Sequence, residues 1–424
     1  MIVKAIRLRR LFQNRKLPLD DLKTLRNRKL RAVISHAYEN VPYYRSLFNS
    51  AGLSPEDIRT VEDLRYVPIT TKDDLKAVGV ENSISKGTDV SSCLRVNTSG
   101  STGKPFTVYL TQGEARIHRL IAFRTLISMG FQRRDRLAIL GPIFPHRSRL
   151  FQHLGFYRIE HIMPFLSPEE QIKRLQRMSP TLLWAYPTVL KTLLRRVNYR
   201  LSKFVAPRAL IYSAEVFDEV TKERIRADRY MEMFNFYGAI EAGRIAAECQ
   251  AHEGLHVNAD NVILECLNGD RPAKAGTPGS AVITTLNAFA MPLIRYRLGD
   301  ICTFLEKTCS CGSSFPLIGP PIGRESDMIR LPSGKILSPF VFSHFLRNIG
   351  MITQFRIIQE SYDKLVLQLA FHENPKQELL KKILSKCLMY LNESVILDIK
   401  IVDYIQEEKQ KFRYFISKLP KSHF

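Results

Sequence analysis

Negative charge is what this chain most lacks. It has 41 Asp and Glu against 63 Lys and Arg, a formal net charge of +22 over 424 residues. It has no run of about 18 or more apolar residues, so no membrane-spanning helix is expected. Lys4, Arg7, Arg9 and Arg10 are not followed by an apolar stretch, which argues against a cleaved secretion signal. Tryptophan occurs once, as Trp184. Seven cysteines, an odd number in a chain this long, argue against a disulfide framework. They suggest a reducing compartment, hence a cytoplasmic protein. No internal repeat, low-complexity tract or RNA- or DNA-binding motif is present, so a solenoid or a dedicated nucleic-acid reader is not indicated.

The positive excess concentrates at the start. Residues 4–31 hold eleven Lys or Arg and only Asp20 and Asp21 as acids, with Leu, Ile and Phe interleaved. Three readings stay open: a basic amphipathic helix lying on the anionic inner face of a membrane, a nucleic-acid contact, or a solvated basic surface.

An apolar fraction of 45% is ample for a packed core. Helical and strand patterns alternate, the signature of an α/β protein. Helices are predicted over 26–38, 113–129, 168–178 and 188–197. Strands are predicted over 136–140, 209–213, 233–237 and 280–286. After the Gly/Pro-rich stretch 316–323 the pattern changes to strands at 355–358 and 364–371, a helix at 376–391 and a strand at 395–402. That suits a small α+β domain after a linker, with boundaries of 1–323 and 324–424.

The most informative segment is Thr98-Ser99-Gly100-Ser101-Thr102-Gly103-Lys104-Pro105. Hydroxyls, an ammonium and closely approachable backbone N–H groups suit a polyphosphate. The spacing is not that of a Walker A loop, and Pro105 stands where that motif has Ser or Thr. The flanks 93–97 and 106–110 read as short strands, so the loop should cap a hairpin.

Other segments join it in order: His36-Ala37-Tyr38-Glu39-Asn40-Val41-Pro42-Tyr43-Tyr44, Phe236-Tyr237-Gly238-Ala239-Ile240-Glu241, Arg295-Tyr296-Arg297-Leu298-Gly299-Asp300, Gly323-Arg324-Glu325-Ser326-Asp327 and Lys411-Phe412-Arg413. Together these resemble the motifs of the adenylate-forming superfamily, in its short phenylacetate–CoA ligase-like branch with relatives linked to capsular polysaccharide synthesis. The resemblance runs from residue 36 to 413. It implies a large N-terminal domain of mixed sheets and packed helices, and a small mobile C-terminal lid. It also implies an AMP-forming ligase that joins a small carboxylic acid to AMP from ATP and passes the acyl group to a thiol, coenzyme A first. The alternatives are transfer to an amine in cell-surface polysaccharide synthesis, or a non-catalytic nucleotide-binding scaffold. A homodimer is also compatible.

The roles follow the motifs. Ser99, Gly100, Ser101, Thr102, Gly103 and Lys104 would cradle the pyrophosphate half of ATP. Glu241 would ligate Mg²⁺, which favours carboxylates combined with phosphate oxygens. Tyr237 and Gly238 would lie by the adenine, as would the Ser213-Ala214-Glu215 loop. Asp300 has the acceptors for both ribose hydroxyls, with Arg324 beside it. Asp327 would be the hinge. Lys411 would carry positive charge to the transition state, with Lys409 as rival. Trp184, Tyr186 and Pro187 would line the acid pocket, which Phe144, Pro145 and His146 also approach. Three positions depart from the pattern: Ile240, Leu298 and Gln410.

Cys249, His252, His256, Cys309 and Cys311 form a second constellation. A Cys-x-Cys turn followed by Gly312 suits tetrahedral Zn²⁺. Cys249, His256, Cys309 and Cys311 would fill all four positions, making such a zinc structural. His252 in place of His256, or buried free thiols without metal, are the rivals. Cys93, Cys266, Cys302 and Cys387 read as ordinary unpaired cysteines.

Overall fold

The structure is a computed structural model describing residues 9–97, 106–141, 152, 154–215, 217–346, 349–405 and 415–419. It divides into two compact units. The first comprises Met1–Phe217, Thr221–Leu298 and Cys302–Pro321; the second comprises Asp218–Val220, Gly299–Ile301 and Ile322–Phe424.

The first unit is organised by a nine-stranded sheet. Strands β3 (Arg136–Leu140), β4 (Arg158–Ile162), β5 (Leu182–Ala185), β6 (Ala209–Ser213) and β7 (Glu232–Ala239) are parallel, in the order β4-β3-β5-β6-β7. Antiparallel β8 (Gly243–Ala247) and β9 (Leu255–Val257) extend it. The side-chain period of two sorts the residues between two cores. Leu183, Ala185, Leu210 and Tyr212 join one with Leu175, Leu190 and Leu193. Leu182, Trp184, Ala209, Ile211 and Phe236 join the other with Leu126 and Met129. Burial on both faces explains why these strands read as continuous apolar runs.

Three helices position the sheet's loops: α2 (Gln112–Ser128), α3 (Pro168–Met178) and α4 (Pro187–Arg196). Helix α3 occupies the predicted bounds because both ends are encoded locally. Ser167 caps it with Pro168 in the first turn, and Ser179 ends it in the left-handed conformation at φ 48°. The flanks of the 98–105 loop pair as predicted, β1 (Leu94–Asn97) against β2 (Thr107–Leu110), with Asn97 opposite Thr107.

In the basic N-terminal segment, the described residues turn their apolar face inward. Helix α1 (Leu19–Asn40) turns Leu22, Leu30, Val33, Ile34 and Ala37 into the protein core, so its apolar face is already occupied. Several of its cations point inward too. Lys29 Nζ donates to the Asp260 carbonyl at 2.6 Å and to Asn287 Oδ1 at 3.0 Å. The segment before α1 is held by a buried ion pair. Arg124 Nη1 and Nη2 donate to Asp260 Oδ2 and Oδ1 at 2.7 and 2.8 Å, and Nη1 also reaches the Leu11 carbonyl.

The cysteine reading needs a second correction. Cys266 in β10 (Val262–Asn268) and Cys302 in β13 (Tyr296–Cys302) form a disulfide, their Cα atoms 6.0 Å apart. The odd total misled because it mixes this pair with five free thiols, three of which belong to the cluster described below.

In the second unit, a four-stranded sheet takes up Ile352–Ser361, Lys364–Phe371, Ile396–Ile401 and Phe415–Ser417. Helix α5 (Gln377–Leu391) packs Ile383, Cys387 and Leu391 into its core with Leu365, Leu367 and Leu369.

Candidate active site

Three neighbouring parallel strands deliver the predicted ligand loops from their carboxyl ends, the usual place for a ligand in an open α/β sheet. Strand β5 ends on Trp184 and Ala185, and Tyr186-Pro187 open α4. Strand β6 ends on Ser213, followed by Ala214-Glu215. Strand β7 ends on Tyr237, Gly238 and Ala239, and the turn into β8 holds Ile240 and Glu241.

The first two loops are tied together. Trp184 Nε1 donates to Ser213 Oγ at 3.0 Å. The Glu215 carboxylate accepts from the Thr188 backbone N–H at 2.8 Å, satisfying an orphan donor in the first turn of α4. Thus the Glu215 side chain fixes a helix. Ala214 has φ 68°, a left-handed conformation unusual for a residue with a Cβ and typical of strained functional turns.

Tyr237 is buried and Glu241 half-buried. Ile240 is 40% exposed, so its apolar side chain is not there to fill a core. Burial pushes the Tyr186 hydroxyl up to about 12, and the Glu215 carboxylate adds to that shift. Tyr186 therefore stays neutral and can donate a hydrogen bond at any physiological pH.

In the second unit, Asp300 lies opposite Arg324 across an antiparallel pair, and Arg324 Nε meets Asp300 Oδ1 at 3.0 Å. The two predicted ribose residues are therefore partners. Asp327 sits in the short helical turn Glu325–Asp327. Leu298 is buried. Ser99, Gly100, Ser101, Thr102, Gly103, Lys104, Phe144, Pro145, His146, Lys409, Gln410 and Lys411 lie outside the described residues.

The cysteine–histidine constellation does converge. The ligand atoms of Cys249, His256, Cys309 and Cys311 all lie within 4.8 Å of one another. Cys249 Sγ is 3.6 Å from Cys309 Sγ, and Cys311 Sγ is 3.3 Å from His256 Nε2. Such spacings suit tetrahedral ligands at about 2.0–2.3 Å from a common ion. His256 Nδ1 bonds the Phe315 carbonyl at 3.2 Å, which aims Nε2 at the thiols. His252 is used elsewhere: it stacks on Phe234 with centroids 4.7 Å apart and approaches Glu248.

The residue that sequence reading missed is Arg244, opposite Gly238 in β8. Its guanidinium lies 3.5 Å from the Phe236 ring centroid and 4.6 Å from that of Trp184. No spacing flags it, because its neighbours there come from two other strands, β5 and β7.

Residues 329–418 match the CapK C-terminal domain family. Over 394 residues the chain is 26% identical to a phenylacetate–coenzyme A ligase of Thermus thermophilus, covering 87% of this chain and 86% of that one. It is 28% identical over 331 residues to the phenylacetate–coenzyme A ligase of Escherichia coli K12, covering 73% of each. Among solved structures, 2-hydroxyisobutyryl-CoA ligase in its postadenylation state superposes with a TM-score of 0.77 at 20% identity, over 96% of this chain and 91% of that one.

The chain has the adenylate-forming fold. Over most of its length its sequence is similar to phenylacetate–coenzyme A ligases, and its C-terminal part matches the CapK C-terminal domain family.

Proposed function

We propose that this chain is an AMP-forming ligase that activates a carboxylic acid with ATP and transfers the acyl group to coenzyme A. The observation that carries the reading is the set of loops at the ends of β5, β6 and β7, with Glu241 in the third. They belong to a chain alike to phenylacetate–coenzyme A ligases over most of its length.

A carboxylate is a poor electrophile because its leaving group would be an oxide ion. In the first step a carboxylate oxygen attacks the α-phosphorus. The bond from that phosphorus to the bridging oxygen breaks, and pyrophosphate leaves with the electron pair. In the second step the thiolate sulfur attacks the acyl carbon and AMP departs. Ser99, Gly100, Ser101, Thr102, Gly103 and Lys104 hold the departing phosphates. Ser213, Ala214, Tyr237 and Gly238 hold the base, and Asp300 and Arg324 the ribose. Lys411 offsets the charge that builds on the oxygens in transit. Glu241 would hold Mg²⁺, whose charge offsets that of the triphosphate. Asp327 serves as the hinge between the half-reactions.

The match of 329–418 to the CapK family supports one second reading, in which the acceptor is an amine on a cell-surface sugar. Cys249, His256, Cys309 and Cys311 fit a structural Zn²⁺ by donor type and spacing.

The test is ATP–pyrophosphate exchange with Mg²⁺ over a panel of aryl, fatty and amino acids without coenzyme A. Exchange dependent on one acid supports adenylation, and adding thiols or amines then separates the acceptors. Measurable ATP binding without exchange for any acid would sink the ligase reading in favour of a scaffold.

A further inference from the structure

The acid pocket contains a cation with no counter-charge. Two deeply buried arginines of the first unit have a carboxylate at hand: Arg124 has Asp260 at 2.7 Å, and Arg295 has Glu265 at 3.2 Å. Arg244 makes no ion pair among the described residues. Its Nη1 is sealed from solvent with no hydrogen-bond partner. Only aromatic faces meet its guanidinium, those of Phe236 and Trp184. A cation–π contact offsets part of the desolvation of a guanidinium but leaves its N–H donors unmet.

The surroundings do not supply the missing charge. Burial pulls Arg244 down to about 9, and the one group that opposes this is Tyr186. Tyr186 is itself pushed up to about 12, so it is a neutral phenol at pH 7. A half-buried arginine with a sealed, unpaired N–H group is costly, and the usual resolution is a partner of opposite charge.

Resting on the ligase reading above, we propose that the acid this chain activates carries a second carboxylate, which seats on Arg244 between Trp184, Phe236 and Tyr186. One carboxylate then reacts at the α-phosphorus while the other fixes the acid's depth and orientation. A monocarboxylic acid of the same length would leave the guanidinium without a counter-charge and discard the charge-assisted bond. A site built around a polar group discriminates strongly against analogues that lack it.

Trp184 is the only tryptophan and touches Arg244, so its fluorescence reports the pocket without any chemistry. The probes are the α,ω-dicarboxylates from malonate to suberate and the monocarboxylates of matching length, each titrated with and without Mg-ATP. One diacid should saturate the signal with an affinity at least about 30-fold above that of its monoacid counterpart. Arg244→Met should abolish that preference and Arg244→Lys should keep part of it, with melting curves confirming that both variants fold. Two results overturn the proposal: no diacid gives a saturable change, or Arg244→Met weakens mono- and diacids by the same factor. The second would mean that Arg244 grips the reacting carboxylate. The same acids are run in pyrophosphate exchange. A diacid that binds through Arg244 but drives no exchange refutes the ligase reading alone. Exchange driven by monoacids and unchanged in Arg244→Met refutes the second carboxylate alone.

Discussion

Replacing Asp260 by Asn should destabilise the first unit by about 3–5 kcal/mol, the usual cost of breaking one side of a buried ion pair. The structure places this site at the severe end. The side chains of Arg124 and Asp260 are 1% and 0% exposed. The carboxylate takes both guanidinium nitrogens and also Asn14 Nδ2 at 2.8 Å. Asn has nearly the same volume, so packing is kept while Arg124 loses its counter-charge. For a unit of about 300 residues, at ~2.1 cal/mol/K of unfolding entropy per residue, the loss corresponds to a fall in Tm of ~5–8 °C. Differential scanning calorimetry reads it directly. A double-mutant cycle with Arg124→Met should give a coupling of ~2 kcal/mol or more. pH dependence supplies an independent check. Burial pushes the Asp260 carboxyl up, but the charge and hydrogen bonds of Arg124 outweigh it and hold the group below the ordinary range. The contribution is therefore full above about pH 4, the value for an unfolded chain, and is lost as pH falls through the folded-state value below that. An Asn variant melting within about 1 °C of the parent at pH 7 would refute the argument that this pair secures the fold.

Lys411→Ala should reduce adenylate formation at least 100-fold, roughly the value of one transition-state charge contact, with ATP affinity little changed; equilibrium binding beside exchange kinetics checks it. Glu241→Gln should raise the Mg²⁺ concentration needed for half-maximal exchange, and an unchanged Mg²⁺ dependence would rule the residue out as a ligand. Elemental analysis should find one zinc per chain, lost in Cys309→Ala and retained in His252→Ala. Non-reducing peptide mapping should recover Cys266 joined to Cys302, with both blocked to alkylation until a reductant is added.

Local signals account for what sequence made legible. The helix at 168–178 and the strands at 136–140 and 209–213 match because capping residues and continuous apolar runs fix them without reference to the rest of the chain. The helix predicted at 26–38 is longer, Leu19–Asn40: Asp20 and Asp21 in its first turn and the burial of Leu22 set the earlier start. The four residues read as a cluster, His256 rather than His252 among them, do converge, because the register of β9 sets His256 opposite Leu317. Arg244 and the Cys266–Cys302 pair were not legible. Each depends on strands distant in sequence meeting in space, and neither carries a local spacing rule. Glu215 was legible as a loop residue, yet its carboxylate serves helix α4.

The strap formed by the first residues has a consequence for how the protein is made. The Arg15 carbonyl accepts the N–H of Ser314 at 2.8 Å, and Leu22 packs with Ala259 and Phe315. The hydrogen-bond partners of Arg15 lie up to 299 residues further along the chain. At about 5–20 residues per second, the ribosome needs ~15–60 s to supply them. Through that interval a cationic, leucine-rich segment has no native seat, and its stretch of exposed backbone is open to chaperones and proteases. Fragments that stop before Asp260 should be cleaved between residues 11 and 29, where the complete chain resists. The ends of this polypeptide meet the middle late, and the time spent waiting is written into its connectivity.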